Sequence, residues 1–526
     1  MNHLSRSVTF FDLSLSLAVL LAFALFRADS AGAYPLDGYA STGLGRLEAA
    51  RLVAIGERPG KQRPAGELLP LDRVDLRLTD YPDLTLPDPD AAFNARIKAL
   101  LGANASRYGI AVLDLSNPQT PRYAEINGNA KQNPGSVGKI LVALGIFQAL
   151  ADIYPDDLEA RRRVLREAMI TADTFSHYDS HTVRLWDPKT GTITRRPIKD
   201  GDRASLWVYL DWMMSPSSNS AAGMLQKNLM LLAHYGKDYP VSEAEKAQFF
   251  KQTPKTQLRD IFAKAIQDPV TRNGLDLQAL RQGSFFTRVG KQRVPGTNSY
   301  ATSRELMRFC LKMEQGKLVD AFSSREIKRL LYVTERRIRY ASSPALRHAA
   351  VYFKSGSLYK CKPEPDFKCR KYHGNVRNFM NSLAIVESPA GQKRLYYMVT
   401  LLSNVLRKNS AVDHQTLGTR IHRLLQADHP APPPQKGPDG KVIVFGDNLI
   451  GFAEKRQAMQ LVTETQMALL KLGYKIGRAD GIAGSKTTRA VTDYQKTHDL
   501  KANSKITPAL YDHMSRTLAQ MSTRGQ

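Results

Sequence analysis

Three apolar segments crowd one stretch of the chain: AAVYFKSGSLY (349–359), NFMNSLAIVES (378–388) and RLYYMVTLLSNV (394–405). Each is bounded by polar turns and rich in β-branched and aromatic residues, so they read as consecutive strands. Comparable strands lie far upstream, where RYGIAVLDL (107–115) and RYAEIN (122–127) flank the turn NPQTP and make a hairpin. AAFNARIKALLGA (91–103) precedes that hairpin as an amphipathic helix, and helical segments dominate from about residue 136 to about 335. Strands at both ends of a helical region imply an α+β fold. Its antiparallel five-stranded sheet closes late in the chain, is covered by helices, and carries a helical subdomain.

At 526 residues, one core does not account for the whole chain. Residues 34–90, rich in Pro, Gly and Asp, read as an extended lead-in with a short helix. The main unit runs over 91–428, a Pro-rich linker over 429–445 (HPAPPPQKGPDGK at its start), and a separate unit over 446–526. The N-terminus carries Arg6, the apolar run LSLSLAVLLAFALF (13–26) and the small residues Ala31 and Ala33. That run, about 21 Å long as a helix, is short of a ~30 Å hydrocarbon core, so residues 1–33 read as a secretory signal cleaved after Ala33. An uncleaved anchor is the alternative. After cleavage the sequence holds no stable membrane span, and the expected location is the periplasm or cell envelope.

The net charge of +26 suits either a solvated basic surface or an anionic envelope. No zinc-ligand spacing or RNA-binding signature accompanies it, so no nucleic-acid partner is expected. Cys361 and Cys369 bracket the polar loop KPEPDFK and are expected to form a disulfide in an oxidising compartment, two free thiols being the alternative. Cys310 shares a helical face with Leu306, Phe309 and Met313 and reads as an inert core thiol.

Two Ser-x-x-Lys tetrads occur, Ser136–Lys139 and Ser357–Lys360. The first opens the helix of SVGKILVALGIFQALADIY, which puts both side chains on one face beside free backbone N–H groups. The second lies in a strand, where positions three apart face opposite ways. Ser-x-Asn appears at Ser217–Asn219 in SPSSNSAAG, and Lys-Ser-Gly at Lys354–Gly356 in FKSGS. A Lys-Thr-Gly at Lys189–Gly191 is out of order and sits in a polar turn, DPKTGT, between VRLW and TITRR.

In this order the motifs are those of class A β-lactamases and penicillin-binding proteins, and residues 91–428 resemble the serine β-lactamase/DD-peptidase superfamily. The resemblance implies an acyl-enzyme on Ser136, with Lys139 as base once burial and neighbouring cations lower its pKa. Ser217 would relay a proton to the leaving amine, Asn219 orient substrate and Lys139, and Lys354 add a cation for the substrate carboxylate. Ser355 would contact that carboxylate. Gly356 and Ser357 would bind substrate beside it, and the backbone N–H groups of Ser136 and Ser357 would form the oxyanion hole. No cofactor is implied. His177 and His181 read as exposed loop residues, and no Cys/Asp/His spacing supports a metal.

One departure stands out. Hydrolytic class A enzymes carry a Glu-x-x-Leu-Asn segment some way after Ser-x-Asn, and here that neighbourhood reads FFKQTPKTQLRDIF (249–262), with no such glutamate. The C-terminal unit, with its LGY, DGIAGSKT and AVTDYQ, resembles a three-helix peptidoglycan-binding domain. Asp480, Gly481, Gly484 and Thr487 are expected to build its turn, and Val462, Met467, Leu469, Leu470, Ala490, Val491 and Tyr494 its apolar face. The expectation is an exported serine hydrolase acting on peptidoglycan stem peptides as a D-alanyl carboxypeptidase or endopeptidase. A β-lactamase and a catalytically silent murein-binding scaffold are the alternatives.

Overall fold

The structure, a computed structural model, describes residues 33–60, 63–187, 190–335, 337–430, 461–477, 479 and 483–524. The expected leader before Ala33, most of the expected linker, and Lys189, Asp480 and Gly481 lie outside the described residues.

Five strands form the central sheet: β1 (Tyr108–Asp114), β2 (Arg122–Ile126), β3 (Ala350–Lys360), β4 (Arg377–Ser388) and β5 (Leu395–Asn404). Their order is β2-β1-β5-β4-β3, every pairing antiparallel. β1, β4 and β5 are buried along almost their whole length because both faces are covered. On one face Val112, Val351, Val399 and Leu401 pack with Phe93 and Ile97 of α1 (Ala91–Leu101) and with Leu417, Ile421 and Leu425 of α5 (Ser410–Asp428). On the other face Leu113, Tyr352, Leu383 and Met398 join the larger core, built around α2 (Lys139–Ile153), α3 (Leu206–Met214) and α4 (Asn219–Tyr235). Alternation along β3 puts Lys354 on the face of Tyr352, towards this helical layer.

Helix α2 is buried on nearly every side. It is apolar all round because it is the central strut of the helical layer; only when counted with the turn ahead of it, as Gly135–Ile153, is it long and apolar enough to span a membrane, and most of that stretch is buried in the protein. A 3-10 turn, Gly135–Gly138, leads into it.

Residues 33–90 hold short helices at Gly38–Thr42 and Gly45–Ala54, and they do more than lead in. Tyr34, Leu47, Leu69, Leu71, Val74 and Leu78 are buried in the same core as α2. Arg46 makes a buried two-pronged ion pair with Asp211 of α3 at 2.5 and 2.8 Å and donates to the Val333 carbonyl. The segment is a strap around the helical layer. Its isolated apolar residues show no periodicity, which is why the sequence reads as irregular there.

In the C-terminal unit, helices over 461–471, Ser485–Thr497 and Pro508–Arg524 enclose Leu469, Ile476, Val491, Tyr494, Leu510 and Met514. Met467 and Leu470, expected on the apolar face, are instead exposed. Ala468 and Leu469 take the inward positions.

Candidate active site

Ser136 lies in the 3-10 turn ahead of α2, and Lys139 is the first α-helical residue. One turn separates them, so Lys139 Nζ reaches Ser136 Oγ at 3.2 Å. Lys139 is fully buried, and its Nζ also donates to the Ser217 carbonyl at 2.6 Å and to Asn219 Oδ1 at 2.8 Å. Ser217 sits in the turn between α3 and α4 with φ +66, a left-handed conformation costly for a residue with a Cβ. That turn places its Oγ 2.8 Å from Lys354 Nζ and 3.3 Å from Lys139 Nζ. A hydroxyl therefore bridges two buried lysines, and each of them contacts it directly.

Strand β3 is an edge strand, and its Lys354–Ser357 segment runs along the Ser136 turn. A Cβ on Gly356 would fall 2.6 Å from Ser136 N and 2.3 Å from the Pro134 carbonyl, and only glycine permits that approach. From the other side, a Cβ on Gly135, which has φ +52, would come 3.1 Å from Ser357 N. The N–H groups of Ser136 and Ser357 are thus brought together across two glycines.

The cleft has a volume of about 520 Å³ and is lined by Ser136, Ser217, Asn219, Lys354, Ser355, Gly356 and Ser357, among others. All eight motif residues named from the sequence therefore meet in one place, Lys139 beneath it. Cys361 and Cys369 are joined by a disulfide in the loop that follows β3. Cys310 is buried, and burial pushes its thiol up.

Some lining residues carry no motif. Arg339, with φ +59, donates to Ser357 Oγ at 3.0 Å, and its guanidinium lies over the Tyr372 ring. It puts a further cation at the Ser355–Ser357 end of the cleft. His181 lines the cleft beside Ser180, while His177 pairs with Asp200 on the surface. Only His177 fits the reading of an exposed loop histidine without a site. Lys189 lies outside the described residues, but the strands around it, Thr182–Asp187 and Thr192–Pro197, form the hairpin expected there.

The wall opposite β3 needs a correction. Residues 249–262 fall in helices Glu243–Gln252 and Lys255–Arg272 and the break between them at Thr253 and Pro254, and none of them lines the cleft. These two helices extend the chain after α4, so the segment that reaches Ser136 comes later, as Gln282, Ser284, Phe285 and Phe286. Gln282 Oε1 lies against Gly138, and the Phe286 ring lies 5.0 Å from Lys139 Nζ. No aspartate or glutamate stands among the described residues that line the cleft.

A family model described as the beta-lactamase enzyme family matches residues 92–423, and one for a peptidoglycan binding domain matches residues 459–514. Among solved structures, a β-lactamase from Sphaerobacter thermophilus is 15% identical, covering 64% of this chain and 98% of its own, with a TM-score of 0.42. One reported as PBP-A is 14% identical, covering 65% of this chain and 100% of its own, at 0.40. A β-lactamase from Chitinophaga pinensis is 16% identical, covering 64% and 98%, also at 0.40. No curated protein matches the chain.

Proposed function

Because the chain belongs to the beta-lactamase enzyme family and carries a peptidoglycan-binding domain, we propose that it is an exported cell-envelope hydrolase cleaving peptidoglycan stem peptides through a Ser136 acyl-enzyme. Ser136 Oγ attacks the peptide carbonyl and its proton passes to Lys139, 3.2 Å away. Ser217, in contact with both lysines, relays that proton from Lys139 to the leaving amine, giving up its own hydroxyl proton as it takes one from Lys139. The N–H groups of Ser136 and Ser357 receive the developing oxyanion. Lys354, Ser355 and Arg339 hold the C-terminal carboxylate of a D-alanyl substrate. The observation that carries this reading is the single hydroxyl of Ser217 shared by Lys139 and Lys354.

The cleft favours a peptidase over a β-lactamase. With no carboxylate among the described residues that line it, the release of the acyl-enzyme falls to water activated at Lys139, which the remnant of an opened β-lactam ring would obstruct. The test is digestion of purified murein, with released fragments identified by mass. Free D-alanine or separated cross-links should appear with the whole protein and not with Ser136→Ala. A chain lacking residues 446–526 should sediment less with insoluble murein yet cleave a small soluble peptide at the same rate, since tethering acts through effective concentration. Intact murein after prolonged digestion, together with no acylation by a labelled β-lactam, would leave the silent scaffold as the reading.

A further inference from the structure

The turn that carries Ser217 and Asn219 is strained, and the contacts described so far hold it only from the lysine side. Asp179 holds it from behind. This carboxylate lies 40 residues ahead of Asn219 in the chain and is almost completely buried. Its Oδ2 accepts from Asn219 N at 2.7 Å, from Ser220 N at 3.0 Å and from Ser218 Oγ at 3.0 Å. Oδ1 takes the ring Nδ1 of His181 at 2.6 Å and the His181 backbone N–H at 3.3 Å. Ser218, the N-cap of α4, accepts from Ala221 N while donating to Asp179, so the carboxylate also sets the direction of the cap.

A charged acceptor at a helix N-terminus satisfies free N–H groups and suits the helix dipole. Here it is supplied by another loop and binds the backbone of Asn219 itself. Burial raises the Asp179 carboxyl, but the His181 ring and the Ser220 N–H, with Lys139 beyond, outweigh it and hold the group well below the usual carboxylate range. It is therefore an anion throughout the neutral range.

We propose that Asp179 is the positioning residue of the reaction. By fixing the backbone of Asn219 and the cap of Ser218, it keeps Ser217 in the left-handed turn that brings its hydroxyl to both lysines. The inference rests on the proposed function, because it assigns Asp179 a part in proton delivery to the leaving amine. Ser136 and Lys139 keep their own contact without it, so acyl transfer from a substrate with a good leaving group needs Asp179 much less.

The test compares a peptide and a thioester that share one acyl group, using the full chain and Asp179→Asn and Asp179→Ala. Asp179→Asn keeps the shape of the side chain, and its thermal midpoint reports whether the fold is retained. Peptide turnover should fall about 100-fold in kcat with KM little changed, while thioester turnover falls less than about 5-fold, in line with the worth of general acid catalysis. His177→Ala, in the same loop but paired with Asp200 at the surface, should keep peptide turnover within about 3-fold of the original protein. Equal losses on peptide and thioester, or no loss on either, would overturn the role of Asp179 while leaving the proposed function standing. A wild-type protein inactive on both compounds would overturn the proposed function and this inference with it.

Discussion

The tetrads Ser136–Lys139 and Ser357–Lys360 have the same spelling and different geometry. On the first turn of a helix, Lys139 folds back onto Ser136 and is sealed from solvent. In β3, Ser357 turns its hydroxyl to Arg339, and Lys360 ends in water. A spacing of three is a proximity only where the backbone coils. The strand segment still matters, because its neighbours Lys354 and Gly356 press against the helical segment. On the proposed reading one tetrad supplies the reacting pair, and the other belongs to the wall facing it.

The sharpest way to break this contrast is to remove each serine. Ser136→Ala should abolish labelling by a β-lactam or fluorophosphonate, and Ser357→Ala should leave labelling within about tenfold, since a backbone N–H rather than its hydroxyl serves the oxyanion. In the intact protein, benzylpenicillin should add its mass to the peptide containing Ser136 and remain there, with turnover well below the typical ~10 s⁻¹. An adduct on the peptide containing Ser357 would reverse the assignment, and rapid multiple turnover would restore the β-lactamase reading.

Removing the lysines gives the next largest effect. Lys139→Ala and Lys354→Ala should each slow acylation by about two to four powers of ten, measured with a fluorescent β-lactam. Lys360→Ala and Lys189→Ala should stay near the original rate. If Lys189→Ala were as damaging as Lys354→Ala, the choice between the two Lys-Ser/Thr-Gly triplets would fail.

Arg339→Ala should act more mildly, raising KM for a peptide with a free C-terminal carboxylate by about tenfold, the worth of one charged hydrogen bond. An amidated peptide should show no such difference, and an equal loss on both would remove the carboxylate contact.

The smallest effect concerns the support behind β5. His422 of α5 bonds the Tyr397 hydroxyl, and burial together with Arg394 lowers its ring pKa from the usual 6.5 to about 4. The folded protein therefore binds this proton less readily than the unfolded chain does. Its contribution is complete above pH 6.5, declines as the pH falls from 6.5 towards 4, and levels off below that. A thermal melt series over this range should show a midpoint falling by a few degrees, with a shallower slope in His422→Gln. An unchanged slope would place the acid sensitivity elsewhere.

Much of this molecule is legible in the residue order, for physical reasons. The five strands announce themselves as apolar runs because both faces of the sheet are covered. The Ser136, Ser217 and Lys354 motifs are local, so their spacing survives in the linear text. Arg339 does not, since it is one of several arginines in TERRIRYAS and only its left-handed backbone turns it to Ser357. Asp179 is hidden for a similar reason, its partners being far along the chain. The strap is hidden because single leucines and Arg46 fill gaps in a core that other elements define. The wall at Gln282 is hidden because two helices lengthen the path to it.

The strand order has a consequence for how the chain is made. β1 sits between β2 and β5, and its register pairs Tyr108 with Ser403 and Asp114 with Tyr397. Until β5 has emerged from the ribosome, β1 has one bare edge, and the apolar strut α2 has no finished sheet to lie on. Contacts so remote in sequence make for slow folding and leave partly made chains prone to stick to one another. Chains arrested before residue 395 should therefore yield no protease-resistant core, and those released after 428 should. The sheet of the nascent protein therefore stays unfinished for most of its synthesis.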